Sequence, residues 1–376
     1  MNSTTFYMKN DEVWITFFVL TASSLQIIES FFPHPVPGVR LGLANIVSFL
    51  AIVYFGIFKA IEVSILRTII SSLFLGTFLS PSFILSFFSA ITSTISMWIL
   101  YNISLNTIFK FSPLGINVFS AVVHNITQLL LVYIFFIQQK NVFLFLPLLL
   151  FSAVVTGWIT GSLALEIVKK VGFENIFLIS EISVLQNKEE KVFKADWLKL
   201  ILFLFFFVLV FLSKKIHIQA SFFIVFFIFY LLQKNDINVF WKNVKNVLWL
   251  IIFSFLILLF LHPYGKVFLK WKFLIVTFDG INLSFLYNLR ILNIVFLSSW
   301  LVQQYSIQEL NFIIKKIVFF YPRGGRIVSN SLFLLPNFLE DVKSQVKKIN
   351  FNNPKRIFEN IVDIFIKILF QPTGLK

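Results

Sequence analysis

The sequence predicts an all-α membrane protein that crosses the bilayer many times. Of its 376 residues, 58% are hydrophobic, only 13% are charged, and 52 are phenylalanine. Soluble domains carry roughly 25% charged residues and interleave them with apolar ones. Here apolar runs recur along the chain, and a spanning helix needs ~20 mostly apolar residues. We expect about ten transmembrane helices, followed by C-terminal amphipathic helices in the cytoplasm.

Six apolar runs predict a membrane domain over residues 1–170. We place them at 13–32, 41–58, 60–80, 83–101, 114–137 and 142–168. Short separators such as Ser80-Pro81 indicate antiparallel neighbours in a bundle. A cytoplasmic N-terminus puts five lysines inside, as the positive-inside rule favours. These are Lys9, Lys59, Lys110, Lys169 and Lys170.

A second membrane domain is predicted over residues 197–376, after a polar cytoplasmic linker at 171–196. Four apolar runs lie near 197–213, 216–233, 246–262 and 280–302. Beyond residue 305, charges become frequent and apolar residues follow helical spacing. Leu310, Ile313, Ile314 and Ile317 form one such stripe. Helices of this kind lie on a membrane surface or bind a partner.

Composition and motifs exclude several classes of function. The chain has no cysteine, which rules out disulfides and thiolate chemistry. Its formal charge of +15 would suggest nucleic acid in a soluble chain, but basic loops facing an anionic leaflet explain it better here. The four histidines lack metal-ligand spacing. No phosphate loop, HExxH, GxSxG or DDxxD motif is present, so we expect no enzyme activity and no cofactor.

Polar side chains inside apolar helices are costly, which makes them candidates for function. Arg67 falls near the middle of the third helix, where it would contact an anion or substrate, or form a structural pair between helices. His124, Asn125 and Gln128 lie on adjoining turns of the fifth helix. They would line a polar pocket or join two helices by hydrogen bonds.

The proline-rich loop PHPVPGVRLGLAN at residues 33–45 is the most specific local feature. Its prolines stiffen the chain, and Arg40 and Asn45 stand where a helix N-terminus attracts anions. It would form a rigid loop over an extracellular pocket, or a plain tight connection. We predict one substrate pocket lined by Arg40, Asn45, Arg67, His124, Asn125 and Gln128.

Residues 29–52, 62–80 and 120–132 carry a resemblance to a known family. They resemble the membrane family labelled heptaprenyl diphosphate synthase component I, or Gx transporter, over roughly residues 10–170. That family looks like the substrate-binding S components of energy-coupling-factor (ECF) vitamin importers. The resemblance implies a bundle of about six helices, with a ligand pocket near the outer face capped by the first loop.

The second half resembles the CbiQ-like T component of the same importers, through residues 278–317, which include Arg290, and residues 332–348. T components join the S component to a pair of ABC ATPases through cytoplasmic coupling helices that present Ala-Arg-Gly motifs. Here Lys347-Lys348-Ile349 stands at the first motif, and the chain stops before the second motif and the last spanning helix. Arg323 and Arg326 lie upstream in PRGGR, which predicts a basic juxtamembrane turn.

The resemblances imply a permease subunit of an ECF-type ABC importer in the bacterial plasma membrane, with both termini cytoplasmic. Its expected partners are ABC-type ATPase subunits, the lipid bilayer and a small molecule, and no nucleic acid. The substrate would be a vitamin-like compound or an isoprenoid or redox-cofactor precursor. The ATPases would meet Arg323, Arg326, Lys347 and Lys348. The alternative is a noncatalytic membrane subunit of a polyprenyl diphosphate synthase.

Overall fold

A computed structural model describes most of the chain. The described residues are 3–30, 41–171, 197–233, 235–260, 265–271, 274–306, 309, 312–313, 322–347 and 354–370. The predicted linker at 171–196 therefore lies outside them, except for residue 171. The described part is almost entirely helical, as the composition predicts.

Six helices form the N-terminal bundle. They are α1 (Ser3–Ser30), α2 (Leu43–Phe55), α3 (Ile57–Leu75), α4 (Pro81–Asn106), α5 (Pro113–Leu131) and α6 (Leu146–Val171). A π-helical turn (Val132–Ile137) and a 3-10 turn (Lys140–Phe145) connect α5 to α6. Both α4 and α5 begin with serine followed by proline. The hydroxyls of Ser80 and Ser112 accept backbone hydrogen bonds, and proline suits the first helical position.

The helix boundary that we predicted at Lys59 is wrong, because the chain turns at Gly56. Gly56 has φ +80° and ψ −179°, a conformation that is essentially restricted to glycine. It folds α2 back against α3, and the Ser48 and Ser64 hydroxyls meet at 3.0 Å. The predicted end of α3 at residue 80 is also wrong, since the helix stops at Leu75 and Gly76 caps it in the left-handed region.

Two glycines one turn apart on α6 allow its close packing against α5. A Cβ at Gly157 would stand 2.6 Å from the Cα of Val118, and one at Gly161 would stand 2.7 Å from the Cα of Leu114. This spacing is the small-xxx-small pattern of membrane helix pairs. It brings Thr156 and Gly157 of α6 within reach of the polar face of α5.

The C-terminal half contains four apolar helices and a β-hairpin. The helices are α7 (Trp197–Leu212), α8 (Ile216–Leu232), α9 (Ile237–Phe260) and α10 (Phe278–Gln304). The hairpin pairs β1 (Val267–Trp271) with β2 (Leu274–Thr277) in antiparallel fashion, and it was not predicted. Helix α9 begins nine residues before the predicted run, because its first turns are polar. Buried Asn243 in those turns donates to Ser299 Oγ at 2.9 Å and to Gly76 O at 3.1 Å.

Two amphipathic helices, α11 (Pro322–Lys347) and α12 (Pro354–Phe370), complete the described chain, as predicted. The PRGGR segment forms the first turn of α11, so the predicted juxtamembrane turn is wrong; proline at the first position starts the helix. Helix α11 packs on α1, where Phe17 and Phe338 meet edge to face at 5.5 Å. Of the predicted apolar stripe, Ile313 is buried, and Leu310, Ile314 and Ile317 lie outside the described residues.

Six helical segments of the described chain are long and apolar enough to cross a membrane. They are Glu12–Ser30, Pro81–Asn106, Pro113–Ile137, Lys140–Lys170, Ile237–Phe260 and Phe278–Gln304. Three further apolar helices, α2, α7 and α8, are shorter. The count of ten spans stays a prediction.

Candidate functional site

A polar cavity lies inside the N-terminal bundle. It is lined by residues from all six helices and from the segment that precedes α2. The lining consists of Gln26, Glu29, Leu41, Gly42, Ala44, Asn45, Arg67, Thr68, Ser86, Ala90, Met97, Asn117, Ala121, His124, Asn125, Thr156 and Thr160. The volume that is open to the centres of water-sized spheres is about 40 Å³. The total empty volume, which includes the open mouth, is about 600 Å³.

Arg67 of α3 is the cationic group of the cavity. The residue is buried, with 4% of its surface exposed. The guanidinium donates from Nη2 to Asn45 Oδ1 at 2.7 Å and from Nη1 to Gln26 Oε1 at 3.3 Å. It therefore ties α1, α2 and α3 together at the cavity wall. The structural and ligand-contacting roles considered for Arg67 are compatible, because it both joins helices and lines the cavity.

Glu29 is the acidic group of the cavity, and our sequence reasoning missed it. It lies near the end of α1, is 2% exposed, and accepts a hydrogen bond from the backbone N–H of Gly42 at 2.7 Å. Gly42 O in turn accepts from the backbone N–H of Asn45 at 2.8 Å. The signal was present, since Glu29 is the one charged residue in the predicted first span at 13–32 and lies three residues after Gln26.

Helix α5 contributes a polar stripe of Asn117, His124 and Asn125. Asn125 donates to Leu149 O at 2.8 Å and to Ser152 Oγ at 3.3 Å, so its amide also joins α5 to α6. His124 Nε2 and Gln128 Nε2 lie 3.1 Å apart. Both interpretations of this face therefore apply, pocket lining and helix-to-helix bonding. Asn117 was missed, although it lies seven residues before His124 on the same face.

Four of the six predicted pocket residues meet at the cavity: Asn45, Arg67, His124 and Asn125. Gln128 is not part of the lining and contacts the site through His124. Arg40 lies outside the described residues. Ligand binding by this set stays a prediction.

A second buried cation, Arg290, lies in the middle of α10. It is 0% exposed and donates from Nη2 to Ser213 O, at the end of α7, over 2.8 Å. The guanidinium also faces the rings of Tyr287 at 5.0 Å and Phe211 at 6.0 Å. These contacts join the turn between α7 and α8 to α10. Arg290 Nε and Nη1 are buried and have no hydrogen-bond partner among the described residues.

The predicted coupling residues lie at the start and end of α11. Arg326 pairs with Glu12 of α1 through Nε and Nη2, and this hydrogen-bonded contact raises the pKa of Arg326. Arg323 is half-buried. Lys347 is the last residue of α11, and the structure describes its backbone but not its side chain. Lys348 lies outside the described residues. Lys170 of α6 and Asp363 of α12 form a second ion pair, at 2.7 Å.

The fold and the cavity together define the class of protein, a polytopic α-helical membrane protein with an internal polar cavity. Within the described ranges, no group of three or more His, Asp or Glu side chains is placed to hold a metal ion.

Residues 18–167 match the family described as heptaprenyl diphosphate synthase component I. This match confirms the first of the two predicted resemblances, and it contains every residue of the cavity lining. It covers less than half of the chain. Comparisons with curated proteins and with solved structures give no match. The resemblance of the second half to a T component stays a prediction.

Proposed function

We propose that the chain is a membrane permease subunit whose N-terminal bundle captures a small molecule, and that it is not itself an enzyme. The observation that carries this proposal is the buried polar cavity. Charged and amide groups inside apolar helices are expensive, and they typically mark a substrate or ion pathway. Here charged and amide groups from four helices, α1, α2, α3 and α5, converge on one space, and hydroxyls from α3, α4 and α6 complete it. Convergent polar groups in a cavity are the arrangement of a small-molecule site.

We further propose that the C-terminal half joins this bundle to separate ATP-binding subunits, as in an ECF-type ABC importer of the bacterial plasma membrane. The support comes from the way in which the amphipathic helices pack on the bundle. Helix α11 packs on α1, and α12 packs on α6, so a partner that moved these amphipathic helices would act directly on helices that line the cavity. Energy would have to come from a partner, because the sequence holds no phosphate loop.

A second candidate function is a noncatalytic membrane subunit of a polyprenyl diphosphate synthase. The specific observation in its favour is that residues 18–167 match the family described as heptaprenyl diphosphate synthase component I. In that role the amphipathic helices would recruit a soluble prenyl transferase to the bilayer.

Copurification from the native membrane tests both candidates. The full chain would be isolated in mild detergent and its partners identified by mass spectrometry. We expect ABC ATPase subunits to copurify with the wild type. With Lys347→Glu plus Lys348→Glu, the amount of copurified ATPase should fall at least fivefold. A fivefold change corresponds to ~1 kcal/mol of binding free energy. Lys214→Glu plus Lys215→Glu is the matched control, because this exposed lysine pair lies at the turn between α7 and α8.

The control pair should retain the ATPases at the wild-type level. A wild-type chain that brings down no ATPase contradicts the importer proposal. A wild-type chain that brings down a prenyl transferase instead supports the synthase alternative.

A further inference from the structure

We infer that the cavity accepts a compact polar molecule without net charge, either uncharged or zwitterionic, and that it excludes isoprenoid diphosphates. The inference rests on the proposed capture function and specifies its substrate class. Four properties of the lining carry it: side-chain type, hydrogen-bonding capacity, charge and size.

The first property is the absence of phenylalanine, tyrosine and tryptophan from the described lining. The chain holds 52 phenylalanines, 8 tryptophans and 9 tyrosines, yet none of them is among the seventeen lining residues. Sites for flat rings and isoprenoid chains are walled mainly by aromatic and large aliphatic groups. Here only Leu41 and Met97 are large and apolar. Such a wall offers little contact area to an isoprenoid tail.

The second property is the number of hydrogen-bonding groups. Four amides line the space, those of Gln26, Asn45, Asn117 and Asn125, and they come from three different helices. Threonine and serine hydroxyls of α3, α4 and α6 add further donors and acceptors. Several of these groups are already paired within the protein, as Asn45 Oδ1 is with Arg67 and Asn125 Nδ2 is with Leu149 O, but Asn117 Oδ1 is buried with no hydrogen-bond partner among the described residues. A ligand that lacked polar groups would leave this remaining hydrogen-bonding capacity desolvated and unused. The lining therefore selects a ligand with polar groups on several sides.

The third property is charge balance. The lining that the structure describes contains one carboxylate, Glu29, and one guanidinium, Arg67, and both are buried, whereas Arg40 lies outside the described residues. The charges of Glu29 and Arg67 sum to zero. A diphosphate would bring several negative charges to a buried site whose described lining holds one guanidinium, so most of that charge would be desolvated without an opposite partner. A molecule without net charge leaves the site electrically neutral.

The fourth property is size. About 40 Å³ is open to the centres of water-sized spheres. One buried water needs about 10–15 Å³ by this measure, so the space holds roughly three or four waters. A compact ligand of similar bulk fits this space, and a polyprenyl chain is far larger.

The experiment is to identify what the protein retains. The wild-type full chain would be purified from its native membrane, and bound small molecules would be released and identified by mass spectrometry. We expect a compact polar molecule without net charge. Excess farnesyl diphosphate, the isoprenoid anion used as a probe, should neither displace that molecule nor be retained.

A matched pair of variants tests the charge argument. Glu29→Gln keeps an oxygen that accepts from Gly42 N but removes the negative charge, and we expect at least a tenfold loss of the retained molecule. Glu166→Gln, at a partly exposed glutamate of α6 that pairs with Lys169, should retain the wild-type amount. Equal retention in Glu29→Gln and the wild type would overturn the charge argument.

The outcomes separate this inference from the proposed function. Retention of an isoprenoid or of a multiply charged anion overturns the substrate class but leaves a capture function in place. A wild-type protein that retains no small molecule at all overturns both. Retention of a compact molecule without net charge, lost in Glu29→Gln and kept in Glu166→Gln, supports both.

Discussion

At the scale of single residues, buried polar side chains organise the N-terminal bundle. Arg67 joins α3 to Gln26 on α1 and to Asn45 on α2, so one guanidinium sets the position of three helices around the cavity. The sequence could indicate Arg67, because a charge in the middle of an apolar run is conspicuous. It could not indicate that Glu29 would meet Gly42, since that contact depends on how the chain returns after α1.

The bond between Asn45 and Arg67 gives the sharpest test at this scale. Asn45→Ala removes the acceptor for Arg67 Nη2, and a buried donor without its partner costs about 1–3 kcal/mol. We expect ligand retention to fall roughly 5- to 100-fold while the protein still inserts in the membrane. Asn102→Ala is the control, because Asn102 is exposed and bonds only to Asn106 on the same helix. Equal retention in both variants would contradict a role for Arg67 in the site.

At the scale of elements, the sequence predicted the helices and missed what lies between them. Apolar composition alone identifies α7, α8 and α10 to within about two residues, because the bilayer demands such runs. The β-hairpin was missed because its strands are only five and four residues long and because β1 contains a lysine, Lys270. The turn at Gly56 was missed because one glycine replaces the polar separator that we expected.

The glycine pair of α6 controls how closely α5 and α6 pack. Gly157→Ala would place a Cβ 2.6 Å from the Cα of Val118, so the helices must move apart. We expect a lower melting temperature, because overpacking typically lowers the free energy of unfolding by about 1–3 kcal/mol. Gly115→Ala is the matched control on α5, since its Cβ would meet only Ser112 Oγ at 3.8 Å. There the melting temperature should stay constant or rise, because alanine favours helix.

Burial, more than charge, should hold α11 on the bundle. The side chains of Arg326 and Glu12 are 51% and 28% exposed, and pairs as exposed as this contribute about 0.2–1 kcal/mol. Phe338→Ala removes a buried ring and should lower the free energy of unfolding by several kcal/mol. Glu12→Gln should lower it by less than about 1 kcal/mol. Thermal unfolding measures both changes. Phe333→Ala is the control on the same helix, because Phe333 is 72% exposed. A larger loss from Glu12→Gln than from Phe338→Ala would show that charge dominates.

At the scale of the whole molecule, α1 connects the amphipathic helices to the cavity. Glu12 and Phe17 contact α11 near one end of α1, and Gln26 and Glu29 line the cavity near the other. Seventeen residues separate Glu12 from Glu29, which is about 26 Å along a helix. If the proposed partner and the proposed ligand bind, a helix of this length would connect them mechanically.

The positive-inside rule predicts that both termini are cytoplasmic, and this orientation can be measured directly. The chain has no native cysteine, so single cysteines can be labelled selectively. In intact cells, His34→Cys and Val267→Cys in the exposed β1 strand should react with an impermeant reagent. Lys343→Cys on α11 should react only after permeabilisation. If Lys343→Cys were labelled in intact cells and the other two cysteines were protected, the predicted orientation would be wrong.

The central claim is that the polar cavity of the N-terminal bundle holds the captured molecule, and filling the cavity tests it most directly. Thr156→Phe would occupy the space, because Thr156 lines it. Thr127→Phe is the matched control, since Thr127 is also half-buried but lies outside the lining. The measurement is moles of retained small molecule per mole of purified protein. We predict wild-type retention for Thr127→Phe and at least a tenfold loss for Thr156→Phe. Equal retention in the two variants would contradict the claim.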